Sequence, residues 1–242
     1  MMRSLPKTEA SHMVYIVSLK IIILDYDLTL MDNICDFYLS FNEAYHKYVG
    51  KTISFHEFYK AFVNDQLINI IPDNIDQEKL WKYMRKEICR SRFSRLNEGV
   101  HYFLYYTDIL GLKKIIVSGR GCHPKYIYEE LRRHGILEYI SGVYTFFDQE
   151  ILGGVEKVLF DKSWLLKYII KKYKINASDT VYIGDYKLDY YSSLEVGVNF
   201  IGLTSIPERI ILLKRIGVKR LARNFYEALL HVLDILRKTT QV

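Results

Sequence analysis

Apolar residues follow two rhythms along this chain. Short, almost unbroken runs occur at 19–24, 114–117, 142–146, 180–184 and 199–203, rich in Ile, Val, Leu and aromatics. Runs of this length, bounded by Gly or polar residues, predict buried strands. Between 33 and 95 the rhythm changes. Phe37, Phe41, Ala44 and Tyr45 recur at helical spacing, as do Phe55, Phe58, Tyr59 and Phe62, and then Leu80, Tyr83, Met84 and Ile88. Gly50 and Pro72 punctuate the three stripes. From Val100 onward strand and helix patterns alternate, which predicts a mostly parallel sheet with helices on both faces. The apolar positions Leu229, Leu230, Leu233 and Leu236 predict a closing amphipathic helix.

Acids stand where the strands end. The first run closes in Asp25-Tyr26-Asp27-Leu28-Thr29, two carboxylates at i and i+2. In an open α/β sheet the carboxyl ends of strands border the ligand crevice. One acid there can attack as a nucleophile and the other can move a proton. The fourth run closes in Gly184-Asp185-Tyr186-Lys187-Leu188-Asp189, and a helix starting there puts Asp185 and Asp189 on one face. Four carboxylates at two strand ends repel one another unless a hard cation such as Mg²⁺ sits among them. The second run ends in Ser118-Gly119-Arg120, where a hydroxyl and free backbone N–H groups suit a phosphate. Lys162 precedes the helical stripe Leu165, Leu166, Ile169, Ile170 and Tyr173, where a lysine can pair with the nucleophile and with a phosphoryl oxygen.

In this set of motifs the chain resembles the haloacid dehalogenase-like hydrolases over roughly residues 19–205. D-x-D-x-T falls on Asp25, Asp27 and Thr29, the serine-ended strand on Ser118, the lysine on Lys162, and G-D-x-x-x-D on Gly184, Asp185 and Asp189. There are departures. Leu28 stands where such proteins usually carry Gly, and Ser118-Gly119-Arg120 replaces the commoner T-N or S-N. The lysine motif lacks its usual K-P, so Lys157 rivals Lys162, which is preferred because its helix follows at once. The resemblance implies a Rossmann-like α/β core made of residues 13–32 and 96–242, interrupted by an all-helical cap over 33–95. It also implies a reaction. Asp25 is the nucleophile that forms an aspartyl-phosphate, Asp27 the general acid and base, and Lys162 the partner of the developing charge. Thr29, Ser118 and Gly119 bind phosphate, and Mg²⁺ is held by Asp25, Asp185 and the backbone carbonyl of Asp27, with Asp189 supporting the site. Dehalogenases of that family lack a carboxylate at position 27, so its presence favours phosphate esters. The expectation is a phosphomonoester hydrolase acting on a small phosphorylated metabolite. A phosphomutase of the β-phosphoglucomutase type shares every motif, and a binding module on the same fold is the non-enzymatic alternative.

Composition changes this picture little. The chain has 242 residues, half of them hydrophobic, enough for a sizeable core and incompatible with disorder. Its net charge of +6 is spread over the polar faces of helical patterns, so no nucleic-acid partner is expected, while the positive balance suits phosphorylated substrates. The longest apolar runs are too short to span a bilayer. Three cysteines, Cys35, Cys89 and Cys122, without a C-x-x-C pair, read as buried thiols in a reducing compartment and predict a cytoplasmic protein without disulfides. Residues 1–12 read as a leader outside the fold, and the chain reads equally as a monomer or a homodimer.

Overall fold

The computed structural model describes residues 19–90 and 92–240. The expectations for residues 1–12, and for the stretch 13–18 of the core, lie outside the described residues.

Strand β1 (Ile21–Asp25) is followed by the short β2 (Met31–Asp32) and, after a helical stretch, by β3 (Arg95–Leu96). Then come β4 (Lys113–Ser118), β5 (Ile140–Thr145), β6 (Thr180–Gly184), β7 (Asn199–Leu203) and β8 (Leu221–Ala222). Six of these form one sheet in the order β5-β4-β1-β6-β7-β8, and every pairing in it is parallel. The chain runs outward from β1 to one edge and then returns to β1's other side, so β1 lies at the topological switch point. Phe146, expected to end a strand, opens a helix instead.

The helices are α1 (Ile34–Val49), α2 (Phe55–Val63), α3 (Gln77–Glu87), α4 (Val100–Ile109), α5 (Lys125–Arg133), α6 (Phe146–Ile151), α7 (Ser163–Tyr173), α8 (Lys187–Val196), α9 (Pro207–Arg215) and α10 (Phe225–Thr240). Side chains of β1 alternate between two cores. Ile22 and Leu24 pack with Phe103 and Leu104 of α4, Ile127 and Leu131 of α5, and Phe225 and Val232 of α10. Ile21 and Ile23 pack with Leu165, Leu166 and Ile169 of α7 and Leu213 of α9. Helices therefore cover both faces, as parallel sheets require. The buried face of α10 is rotated from the expected one: Ala228, Leu229, Val232 and Ile235 are inside and Leu230 is exposed, because Phe225 and Ala228 meet α4.

Residues 34–90 form helices with their own core, in which Phe41, Phe58, Phe62, Leu80, Trp81 and Met84 are buried together. A capping box at Ser54 and Glu57 starts α2. The stretch leaves and rejoins the sheet through β2 and β3, which pair antiparallel with Met31 opposite Leu96 and Asp32 opposite Arg95.

The cysteine reading is corrected. Cys89, in the turn after α3, is disulfide-bonded to Cys122, in the loop after β4, and Cys35 is exposed. The helical stretch folds back onto that loop, where Gly121 N–H donates to the Arg85 carbonyl at 2.9 Å, and this brings two cysteines 33 residues apart within bonding reach. No helix among the described residues is long and apolar enough to cross a membrane.

Candidate active site

The turn after β1 sets the geometry. Asp25 is the last residue of the strand, and Leu28 adopts the left-handed conformation at φ +64°. A branched residue there costs on the order of 1–2 kcal/mol. Hydrogen bonds hold the turn: Leu28 N–H to Asn33 Oδ1 at 3.0 Å, Met31 N–H to the Tyr26 carbonyl at 3.0 Å, and Asn97 Nδ2 to the Thr29 carbonyl at 2.6 Å. The glycine missing at position 28 is thus replaced by bracing from two asparagines.

Around Asp25 the structure gathers residues from four strand ends and the helices after them. Lys162 Nζ, just ahead of α7, lies 2.5 Å from Asp25 Oδ1 and 2.7 Å from Asp189 Oδ1, and all three groups are buried. Thr29 Oγ1 donates to Asp25 and Asp185 at 3.2 and 3.1 Å, and Tyr182 OH donates to Asp189 at 2.6 Å. Arg209, from α9, pairs closely with Asp185 and stacks 3.8 Å over the Phe62 ring. Asp185 precedes α8 rather than riding on it, whereas Asp189 lies in its first turn. A Cβ at Gly184 would stand 2.5 Å from an Asp189 carboxylate oxygen, so only glycine lets that acid approach β6. One carboxylate oxygen from each of Asp25, Asp185 and Asp189 lies within 4.8 Å of the others.

The electrostatics follow from burial. Burial raises the Asp25 carboxyl well above the usual carboxylate range, Lys162 opposes the shift, and Asp189 and Asp185 add to it. Burial likewise raises Asp185 against the pull of Arg209. Burial works against the Lys162 ammonium, but Asp189 and Asp25 outweigh it and hold the lysine charged above its ordinary range. Three carboxylates thus face two side-chain cations. An all-oxygen, net-negative cluster of this kind fits a hard divalent ion, with Asp25, Asp185 and Asp189 as the ligands.

The second acid has a separate environment. Asp27 accepts from Arg120 Nε at 3.0 Å and Nη2 at 2.7 Å, from Ser118 Oγ at 3.1 Å and from Asn33 Nδ2 at 2.6 Å. Arg120 is fully buried, reaches Glu130 of α5 at 2.9 Å with its other arm, and lies 4.8 Å over the Tyr26 ring. The Asp27 carboxylate therefore stands outside the three-carboxylate cluster.

These positions coincide with the reach of a family. The sequence model of the haloacid dehalogenase-like hydrolases matches residues 22–203, most of the chain. The chain belongs to the haloacid dehalogenase-like hydrolase family. No curated protein matches it. Solved structures share the fold at low identity. A predicted phosphatase from Clostridium acetobutylicum superposes with TM-score 0.70 at 16% identity, covering 90% of this chain and 99% of that one. A predicted phosphoglycolate phosphatase from Haemophilus somnus gives 0.64 at 16%, covering 88% and 98%. A protein assigned as a β-phosphoglucomutase from Bacteroides vulgatus gives 0.67 at 16%, covering 93% and 92%.

Within this family member, the sequence-predicted residues divide. Asp25, Lys162, Asp185, Asp189 and Thr29 meet in one cluster. Asp27 and Ser118 meet in the other. The hydroxyls expected to bind phosphate are both buried and already engaged with carboxylates, Thr29 on Asp25 and Asp185, Ser118 on Asp27. Gly119 lines the cavity above the acids. Lys157 sits on the surface, paired with Glu195. Sequence reasoning missed Glu130, Arg209 and Asn33, and noted Arg120 only as a departure. A signal existed for two of them. Glu130 lies between Ile127 and Leu131 on the buried stripe of α5, and Arg209 lies four residues before Leu213 on that of α9. A charge on a core-facing stripe requires a buried partner.

Proposed function

We propose that this hydrolase is a Mg²⁺-dependent phosphomonoesterase that works through an aspartyl-phosphate on Asp25, acting on a small phosphorylated metabolite. The observation that carries the reading is Asp25 itself: a buried carboxylate at the switch point of the sheet, 2.5 Å from a buried lysine and grouped with two further acids at the floor of a cavity. Asp25 attacks phosphorus and the ester oxygen leaves. Asp27 lies two residues on and lines the same cavity, placed to protonate that oxygen and then to take a proton from the water that cleaves the intermediate. Lys162 offsets charge building on the phosphoryl oxygens. Mg²⁺, when bound by Asp25, Asp185 and Asp189, supplies charge neutralisation that two side-chain cations leave incomplete.

Residues 33–95 act in this reading as a cap on the core of 13–32 and 96–242, moving on the β2–β3 pair. A contact that supports closure joins Asp65, after α2, to Tyr186 OH at 2.7 Å and to Lys187. The Cys89–Cys122 bond removes the cysteine argument for a cytoplasmic place of action.

The test is turnover of p-nitrophenyl phosphate. Activity is expected with Mg²⁺, lost in EDTA and restored by Mg²⁺. Full turnover in chelator overturns the metal site, and no turnover with Mg²⁺ overturns the hydrolase reading.

A further inference from the structure

The cavity above Asp25 has a volume of about 480 Å³, within the roughly 300–1,000 Å³ of small-molecule sites. Its floor carries Asp25, Asp27, Asp185 and Lys162, with Asp189 buried beneath them. Its walls are apolar: Phe37, Phe62, Trp81 and Met84 from the helical stretch, and Phe160 and Leu188 from the core. Phe160 and Trp81 meet edge to face at 5.4 Å, an aromatic corner across the two parts.

The charged groups that also line the cavity are already engaged. Arg85 is buried and bonded through both terminal nitrogens to Glu156, at 3.1 and 2.6 Å. Arg209 is committed to Asp185, and Lys187 and Tyr186 to Asp65. A polyol or a second carboxylate entering here would lose its water and find no matching set of partners. Trp81 contributes its ring to the wall, and the Arg85 guanidinium lies 4.5 Å from the Phe160 ring while bonded to Glu156.

We propose that the organic part of the substrate is aromatic: a phosphomonoester whose ring system fills the cavity between Trp81, Phe62 and Phe160. This rests on the hydrolase reading for its chemistry, and on the walls of the cavity for its selectivity. The hydrolysis balances simply. Water is consumed, the ester P–O bond breaks, and the aromatic alcohol and inorganic phosphate leave.

The test compares 2-(2-naphthyl)ethyl phosphate with glucose 6-phosphate. Both lose a primary alkoxide, so leaving-group chemistry is matched and the ratio of kcat/KM reads recognition. The aromatic ester is expected to be preferred at least about 100-fold, with the difference mainly in KM. Ile68→Asn and Leu188→Asn, at half-buried or exposed positions of the cavity wall where folding tolerates change, are expected to cut that preference about tenfold. Equal turnover, or a preference for the sugar phosphate, overturns the proposal while leaving the hydrolase reading intact. If neither ester nor acetyl phosphate is turned over, the hydrolase reading falls. Calorimetry on the intact protein then decides the cavity's selectivity: binding of the naphthyl ester at least 10-fold tighter than glucose 6-phosphate sustains it, and equal or no binding overturns it.

Discussion

Asp25 and Asp27 are two residues apart in one turn, yet they belong to differently built environments. Asp25 faces an ammonium shared with Asp189 and lies among like charges, so its neighbours leave negative charge uncompensated. Asp27 faces a planar guanidinium that forks onto it, backed by Glu130, with Ser118 and Asn33 supplying two further donors. One environment leaves room for a cation; the other holds a single carboxylate in a fixed orientation at the wall of the same cavity. A compact ammonium gives a point charge that can be shared with an incoming oxyanion, whereas the Arg fork fixes a carboxylate's orientation. In the proposed reaction the first environment suits a nucleophile and the second an acid and base whose direction is fixed.

Removing the reacting group tests the comparison most severely. Asp25→Asn is expected to bring turnover to background, with no acid-stable phosphoenzyme after quenching with p-nitrophenyl phosphate. A phosphoryl group trapped on another residue would reverse the assignment. Asp27→Asn is expected to lower turnover about 10²–10⁴-fold while a phosphoenzyme accumulates on Asp25, seen as a burst of p-nitrophenolate. The loss should be smaller for p-nitrophenyl phosphate than for alkyl phosphates, because p-nitrophenolate leaves without protonation.

The Asp27 environment is read by stability. Arg120→Met leaves Asp27 and Glu130 without their cation and is expected to cost about 3–5 kcal/mol in urea unfolding. The triple change Arg120→Met, Asp27→Asn and Glu130→Gln should recover a large part, since removing all members of a buried ionic network is cheaper than removing one. If the single change costs no more than a surface substitution, Arg120 does not hold Asp27 as described.

The smallest expected effect, taken per pH unit, concerns the open environment in metal-free protein. Burial raises Asp25 and Asp185 above their unfolded values. The folded state then keeps protons that the unfolded chain has already released. Stability is therefore greatest on the acid side and falls as pH rises from about 4 through the raised values, by at most about 1.4 kcal/mol per pH unit for each group. Saturating Mg²⁺ should flatten that slope. Thermal unfolding in EDTA across pH 4–8, repeated with Mg²⁺, checks the sign. Rising stability with pH in EDTA would show that Lys162 and Arg209 already compensate the cluster fully.

Much of this was legible in the chain. The apolar runs ending in acids read as strands because a strand buried on both faces has no polar positions until it leaves the sheet, and the candidate site residues stand where it leaves. The stripes between 33 and 95 read as helices because each buries one face against the others. Other features carried no local signal. The two-residue strands β2 and β3 are too short to show a period. Leu28 reaches its left-handed turn only because Asn33 and Asn97, from separate elements, brace it.

By itself, then, the sequence determined which residues end the strands and that a helical stretch interrupts the sheet, since these depend on periodicity and on chemistry at fixed spacing. Tertiary structure alone decided that Arg120 meets Asp27 and Arg209 meets Asp185, that Cys89 meets Cys122, which face of α10 is buried, and that the cavity over Asp25 is walled by aromatic rings. Each of these depends on contacts between elements tens of residues apart, and a long-range contact leaves no trace in local pattern until the chain has closed upon it.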